Sequence, residues 1–146
     1  MAEQATHNRL VEGSNPSGPI FHAIGTMRKF ITMELTSFNY STLQPRSIPI
    51  PSGGTNYLSL LGGPPDSVSM RSGYVELLPG ESVGLHSTED YEEMIVPLSG
   101  RGQLTSPGVD PLPITINFVL YNPPHTPHDV VNTSDVPLRY IYIVTK

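Results

Sequence analysis

Cysteine is absent from this chain of 146 residues. It therefore has no disulfide, no thiolate ligand for a metal and no cysteine nucleophile, which excludes a zinc ribbon. Long apolar runs are also missing: none approaches the roughly 18 residues that mark a membrane span, and the N-terminus lacks the apolar centre of a secretory signal. The default expectation is a cytoplasmic protein without a membrane partner. Basic residues are few, with eight Lys and Arg against thirteen Asp and Glu, a net charge of −5. No cationic cluster offers a footprint for phosphates, so nucleic acid is not expected as a partner, and the charge mainly serves solubility. Neither a Gly-x-Ser-x-Gly elbow nor a phosphate-binding glycine loop is present. Ser87 adjoins His86 on a strand, where neighbouring side chains point apart, so a Ser/His hydrolase is set aside as well.

What the chain has in quantity is turn chemistry, with 13 glycines and 16 prolines. Its apolar residues come in short runs such as "YVELL", "EMIVPL", "ITINFVLY" and "RYIYIV". Short β-branched and aromatic runs broken by turn residues read as all-β. The runs "NYLSLL", "VSMRSGYVELL", "SVGLHS", "EMIVPL", "GQLTS", "ITINFVLY", "DVVNTS" and "LRYIYIV" are separated by "GGPPD", "PGE", "TEDYE", "SGRG", the connection "PGVDPLP" and "NPPHTPH". No helix-length amphipathic segment intervenes, which favours an antiparallel barrel or sandwich. The length suits one domain. Residues 1–26 show no sustained period and read as a poorly ordered leader, with a single domain over 27–146. Met27 and Met33 are alternative natural starts, and the apolar Ile20, Phe21 and Ile24 keep open an arm that crosses to a partner subunit.

Side chains alternate along a strand. In "SVGLHST" this puts Gly84, His86 and Thr88 on one face and Val83 and Leu85 on the other. A histidine here, carboxylates just after it and a second histidine on a distant strand converge only if the sheet curls, as in a small barrel. Taken alone, His86 reads as a buried histidine satisfied by a neighbouring hydroxyl, and the acidic loop Glu89, Asp90, Glu92 and Glu93 as a solvated face. Asn132 is expected to turn its side chain to backbone groups at a bend. Tyr140 and Tyr142 share one face of the last strand and could line a pocket. Arg71, Arg101 and Arg139 could meet an anionic substrate, but nothing in the sequence separates them from surface charges.

Two spaced motifs change the weighting. Gly80, His86, Glu93 and Gly100 fall on Gly-x5-His-x-His-x3–4-Glu-x6-Gly, with Thr88 in place of the second histidine. Pro123, His128 and Asn132 fall on Gly-x5-Pro-x-Gly-x2-His-x3-Asn, with Asn117 and His125 in place of the two glycines. Residues 101–116 lie between. This pattern resembles the cupin superfamily, in its small single-domain, conserved-barrel form with a variant first motif. The resemblance implies a jelly-roll barrel holding a divalent metal (Fe(II), Mn(II), Ni(II) or Zn(II)) through His86, Glu93 and His128. Two imidazoles and one carboxylate suit a non-haem Fe(II) oxygenase or a catalytic zinc, because they leave coordination positions open. Thr88 stands where the family usually has a fourth ligand; a hydroxyl is a poor ligand there but could hydrogen-bond a bound water. His125 could swing in as its replacement, or stay exposed at the rim. The implied function is a metal-dependent oxygenase or sugar-type isomerase acting on a small organic molecule, as a homodimer. The alternative is a non-catalytic barrel that binds a small ligand or stabilises an assembly.

Overall fold

The computed structural model describes residues 42–146; the expected leader over 1–26 and the starts at Met27 and Met33 lie outside them. The described residues carry strands β1 (Tyr57–Gly62), β2 (Arg71–Leu77), β3 (His86–Ser87), β4 (Glu92–Ser99), β5 (Arg101–Ser106), β6 (Val109–Thr115), β7 (Leu120–Asn122), β8 (Pro127–Val131) and β9 (Leu138–Thr145). One sheet runs β1-β2-β9-β4-β7 and a second runs β3-β8-β5-β6. Every pairing is antiparallel. The chain crosses between the sheets at almost every step after β2, which is the interleaving of a jelly roll. No helix among the described residues is long and apolar enough to cross a membrane.

Alternation along the strands builds the interior. On β9, Leu138, Tyr140, Tyr142 and Val144 are buried, while Arg139, Ile141 and Ile143 between them are half-buried on the outer face. Register carries this face across the sheet: Tyr142 stands opposite Ile95 of β4, and Tyr140 and Leu138 stand opposite Val75 and Leu77 of β2. Val83, Leu104, Ile114 and Val130 close the core from the other side. Each such side chain stabilises the fold by about 1.5–3 kcal/mol through loss of apolar contact with water.

Two expectations need correction. "PGVDPLP", read as a connection, mostly forms β6, which lies at the edge of its sheet beside β5. An edge strand tolerates Pro111 and Pro113 because a missing N–H facing away from the neighbour breaks no ladder bond. "ITINFVLY", read as one strand, is divided between sheets. Asn117 has φ 72°, a left-handed conformation that asparagine adopts more readily than most residues. There the chain leaves β6 and enters β7 of the other sheet.

Two polar anchors fasten the turns. Asn132 is buried, and its Nδ2 donates to the carbonyls of Leu77 (2.9 Å) and Val136 (2.8 Å), while its Oδ1 accepts from the Ser134 backbone N–H and hydroxyl, both at 2.9 Å. This is the bend-stabilising role expected of it. Glu76, on the outer face of β2, is also buried. It accepts from Arg139 Nε, from the Gly54 N–H (2.9 Å) and from the Tyr74 hydroxyl (3.4 Å). Burial pushes its carboxyl pKa up, but the Arg139 guanidinium and the Gly54 N–H outweigh this and hold it below the ordinary value of 4.5.

Gly80→Ala and Gly100→Ala should differ sharply. Both glycines have positive φ, 81° and 78°, so either alanine carries a strain of about 1–2 kcal/mol. At Gly80 nothing lies within 4 Å of the added methyl group, whereas at Gly100 it meets the Pro137 carbonyl oxygen and lies 2.8 Å from Leu138 Cα. Urea unfolding should show a loss of more than about 3 kcal/mol for Gly100→Ala; equal losses would contradict the close approach. A second test uses acid. A depressed carboxyl pKa contributes stability that is complete above the unfolded pKa and is lost as pH falls through the folded value. Glu76→Gln should therefore lower Tm at neutral pH yet lose less Tm than the parent between about pH 5 and pH 3; identical slopes would remove Glu76 from the acid transition.

Candidate metal centre

The site lies where the two sheets face each other. β3 and β8 pair so that His86 stands directly opposite His128, and their ring centroids are 4.3 Å apart, tilted by 57°. Glu93 projects from β4 of the opposing sheet, where it is in register with Asn122 of β7. All four side chains are buried. The alternation places Glu92 outside, exposed, accepting a 3.0 Å hydrogen bond from the Tyr121 hydroxyl.

The hydrogen bonds set the chemistry of each group. His86 Nδ1 lies 2.8 Å from the Gly84 carbonyl, and His128 Nδ1 lies 3.1 Å from the Thr126 carbonyl. A carbonyl only accepts, so in both rings Nδ1 carries the proton and Nε2 of the neutral ring keeps its lone pair. Asn122 Nδ2 donates to Glu93 Oε2 at 2.9 Å and fixes that carboxylate. His128 Nε2 lies 2.9 Å from the same oxygen. With the proton on Nδ1, this Nε2 has none to donate, and the buried atom is left without a hydrogen-bond partner in the neutral ring.

Two electron-rich atoms held this close in a buried site favour a cation. Two ligand atoms on one metal at bond lengths of about 2.1 Å are about 3 Å apart when they meet at a right angle. The Glu93 and His128 atoms fit that spacing, and His86 stands beside them with a free lone pair. Among the described residues, however, no group of three or more His, Asp or Glu side chains already converges as a metal cage. The two imidazoles are pushed in opposite directions. Burial and the adjacent His128 lower the pKa of His86. For His128 burial also opposes protonation, but the Glu93 carboxylate outweighs it and the pKa rises.

Tyrosines from β9 form the wall beside these groups. Burial, then the charges of Glu93 and Asp129, raises the pKa of Tyr140 well above its usual value. Burial and Tyr57, whose hydroxyl lies 3.0 Å away, raise that of Tyr142. Both stay protonated at ordinary pH and can act as hydrogen-bond donors.

Thr88 and His125 stand apart from the three candidate ligands. The buried Thr88 hydroxyl donates to the Pro123 carbonyl at 2.7 Å and accepts from the Thr126 N–H at 2.9 Å, so it ties β3 to the turn before β8. His125 is exposed, with Nε2 3.6 Å from Asp90 Oδ1 at the rim. It has φ 58°, and so Asn117 and His125, the residues in place of the two motif glycines, both retain a left-handed backbone. The expected alternation across "SVGLHST" also fails in part. Val83 is a core residue and Leu85 is exposed, because Gly84, at φ 92°, turns the chain between Val83 and His86. Of the three arginines, Arg139 is engaged with Glu76 and Arg71 lies over the Tyr91 ring, 5.6 Å from its centroid. Asn122 and Asp129, whose Oδ1 accepts from the Gly84 N–H at 2.8 Å, were not legible as site residues. Only the strand register places them here.

Known proteins agree with this architecture. The sequence model of the Cupin domain family matches residues 73–144. Among curated protein sequences none matches the chain. A Cupin 2 conserved barrel domain protein from Salinispora arenicola is similar, with 24% identity over 69% of this chain and 91% of that one, and a TM-score of 0.56. A predicted oxalate decarboxylase from Thermotoga maritima shares 26% identity over 74% of this chain and 96% of its own, with a TM-score of 0.56. A DMSP lyase from Ruegeria pomeroyi shares 21% identity over 62% of this chain and 46% of its own, with a TM-score of 0.54.

The backbone at residue 125 yields a stability test. Glycine relieves left-handed strain of about 1 kcal/mol or more, and the exposed pair with Asp90 that it removes contributes less than about 1 kcal/mol. His125→Gly should therefore raise Tm or leave it unchanged. A large drop in Tm would give the His125 side chain a role that its exposed position does not explain.

Proposed function

We propose that this chain, whose residues 73–144 match the Cupin domain model, is a cupin that binds a divalent metal through His86, Glu93 and His128 and acts on a small organic molecule. The observation that carries this reading is the orphaned Nε2 of His128, buried 2.9 Å from Glu93 Oε2. Both histidines keep Nε2 free by committing Nδ1 to a backbone carbonyl. Fe(II), Mn(II), Ni(II) and Zn(II) all accept such a donor set. When bound, the metal supplies a Lewis acid or a dioxygen-binding centre, suited to oxygenation or to a sugar-type isomerisation.

The chain's own groups have distinct tasks. Asn122 orients the Glu93 side chain by donating to its Oε2. Tyr140 and Tyr142 offer hydroxyl donors to a polar group on the substrate, and the apolar core behind them excludes water. A homodimer is the proposed assembly. Met94 and Tyr121, in register on the outer face, are both exposed, and an exposed apolar sheet face favours self-association.

One observation favours the second reading, a non-catalytic barrel that binds a small ligand: the described side chains do not yet converge as a cage. Elemental analysis of untagged protein separates the two. The metal reading expects stoichiometric metal, a higher Tm on adding Fe(II), Mn(II), Ni(II) or Zn(II), and loss of metal retention with an intact fold in His128→Ala. No metal and no thermal response would leave the binding module. Full retention in His128→Ala would mean that the ligand set is wrong.

A further inference from the structure

The hydrogen bonds around the two histidines run across the β3–β8 ladder in a reciprocal pattern. His86 on β3 is oriented by the Gly84 carbonyl, and the Gly84 N–H is held by Asp129 Oδ1 of β8 at 2.8 Å. His128 on β8 is oriented by the Thr126 carbonyl, and the Thr126 N–H is held by Thr88 Oγ1 on the β3 side at 2.9 Å. Thr88 closes this second clamp twice more. Its hydroxyl donates to the Pro123 carbonyl at 2.7 Å, and its own N–H donates to the Thr126 carbonyl at 3.2 Å. Each ring thus takes its orientation from the carbonyl of a residue in its own segment, and the N–H of that same residue is held by a side chain of the opposite segment.

We propose that Thr88 and Asp129 are positioning residues that fix the tautomers of His128 and His86 respectively, keeping the two Nε2 lone pairs directed into the barrel. Neither touches the reacting centre. Thr88 occupies the place of a further ligand and instead secures the ligand on the neighbouring strand. An imidazole whose Nδ1–H loses its acceptor exchanges between tautomers, and the tautomer with its proton on Nε2 cannot ligate through that atom. In Thr88→Val the backbone bond from residue 88 to the Thr126 carbonyl is kept, but the Thr126 N–H loses its acceptor and the Pro123 carbonyl its donor. The turn can then shift relative to the His128 ring.

The consequence for metal rests on the metal-binding reading above, but the tautomer assignment does not. Both are read on the full chain. With nitrogen-15-labelled histidine, metal-free protein at alkaline pH should show His86 and His128 mainly as Nδ1–H tautomers. Thr88→Val should convert His128 to a tautomer mixture and leave His86 unchanged, and Thr88→Ser should restore it. Asp129→Ala should do the reverse, and it decides the question if Thr88→Val does not fold. Unchanged tautomers in these variants, or a joint change of both rings in either one, would overturn the assignment. Zn(II) titration forms the second arm. Thr88→Val should bind about 10–100-fold more weakly than the parent, with recovery in Thr88→Ser. Parent protein that binds no Zn(II) defeats the metal reading while the tautomer spectra still decide this one. Equal Zn(II) affinity with unaltered tautomers defeats this one and leaves the metal reading standing.

Discussion

The approach of His128 Nε2 to Glu93 Oε2 joins the two sheets at the polar end of the barrel. Neither atom can reach water freely, and while the His128 ring is neutral neither has a proton to share with the other. Breaking a buried ion pair by removing one partner costs about 3–5 kcal/mol, so positive charge beside Glu93 stabilises the site. A proton on His128 supplies it in one state, in keeping with the raised pKa of that ring, and a metal ion would supply it in another. His86, with its pKa lowered, stays neutral and ready to donate electrons.

The surrounding structure keeps that contact in place. Register sets Glu93 opposite Asn122 and His86 opposite His128, so the pairing of distant strands decides which polar groups meet. The kink at Gly84 lets one short segment serve two purposes: Val83 packs into the core and, three residues on, His86 enters the site. Gly100 and Asn132 fasten the turns around β9, and the wall of Tyr140 and Tyr142 depends on that strand being seated.

Much of this was legible from spacing. The fold class followed from short apolar runs and turn residues, and His128 lies beside both other motif positions, its ring 4.3 Å from that of His86 and its Nε2 2.9 Å from Glu93 Oε2. Separation of Glu92 from Glu93 followed from strand alternation alone. The substitutions of motif glycines by Asn117 and His125 looked like departures, yet their positive φ shows that the pattern specifies a backbone conformation there. What stayed hidden depends on pairing between strands far apart in sequence. Asn122 and Asp129 have no local signal, and the hydroxyl of Thr88 finds its partners 35 and 38 residues away. The edge strand β6 was concealed by its prolines, which suit an edge but read as a loop.

The proposed cation would be shared by Glu93 and the two histidines. Crystals soaked in Mn(II) and measured for anomalous scattering test it most directly. A single peak in contact with His86, Glu93 and His128 is the predicted result. Full Mn(II) exposure with no peak, and with His128 and Glu93 still in direct contact, would contradict it.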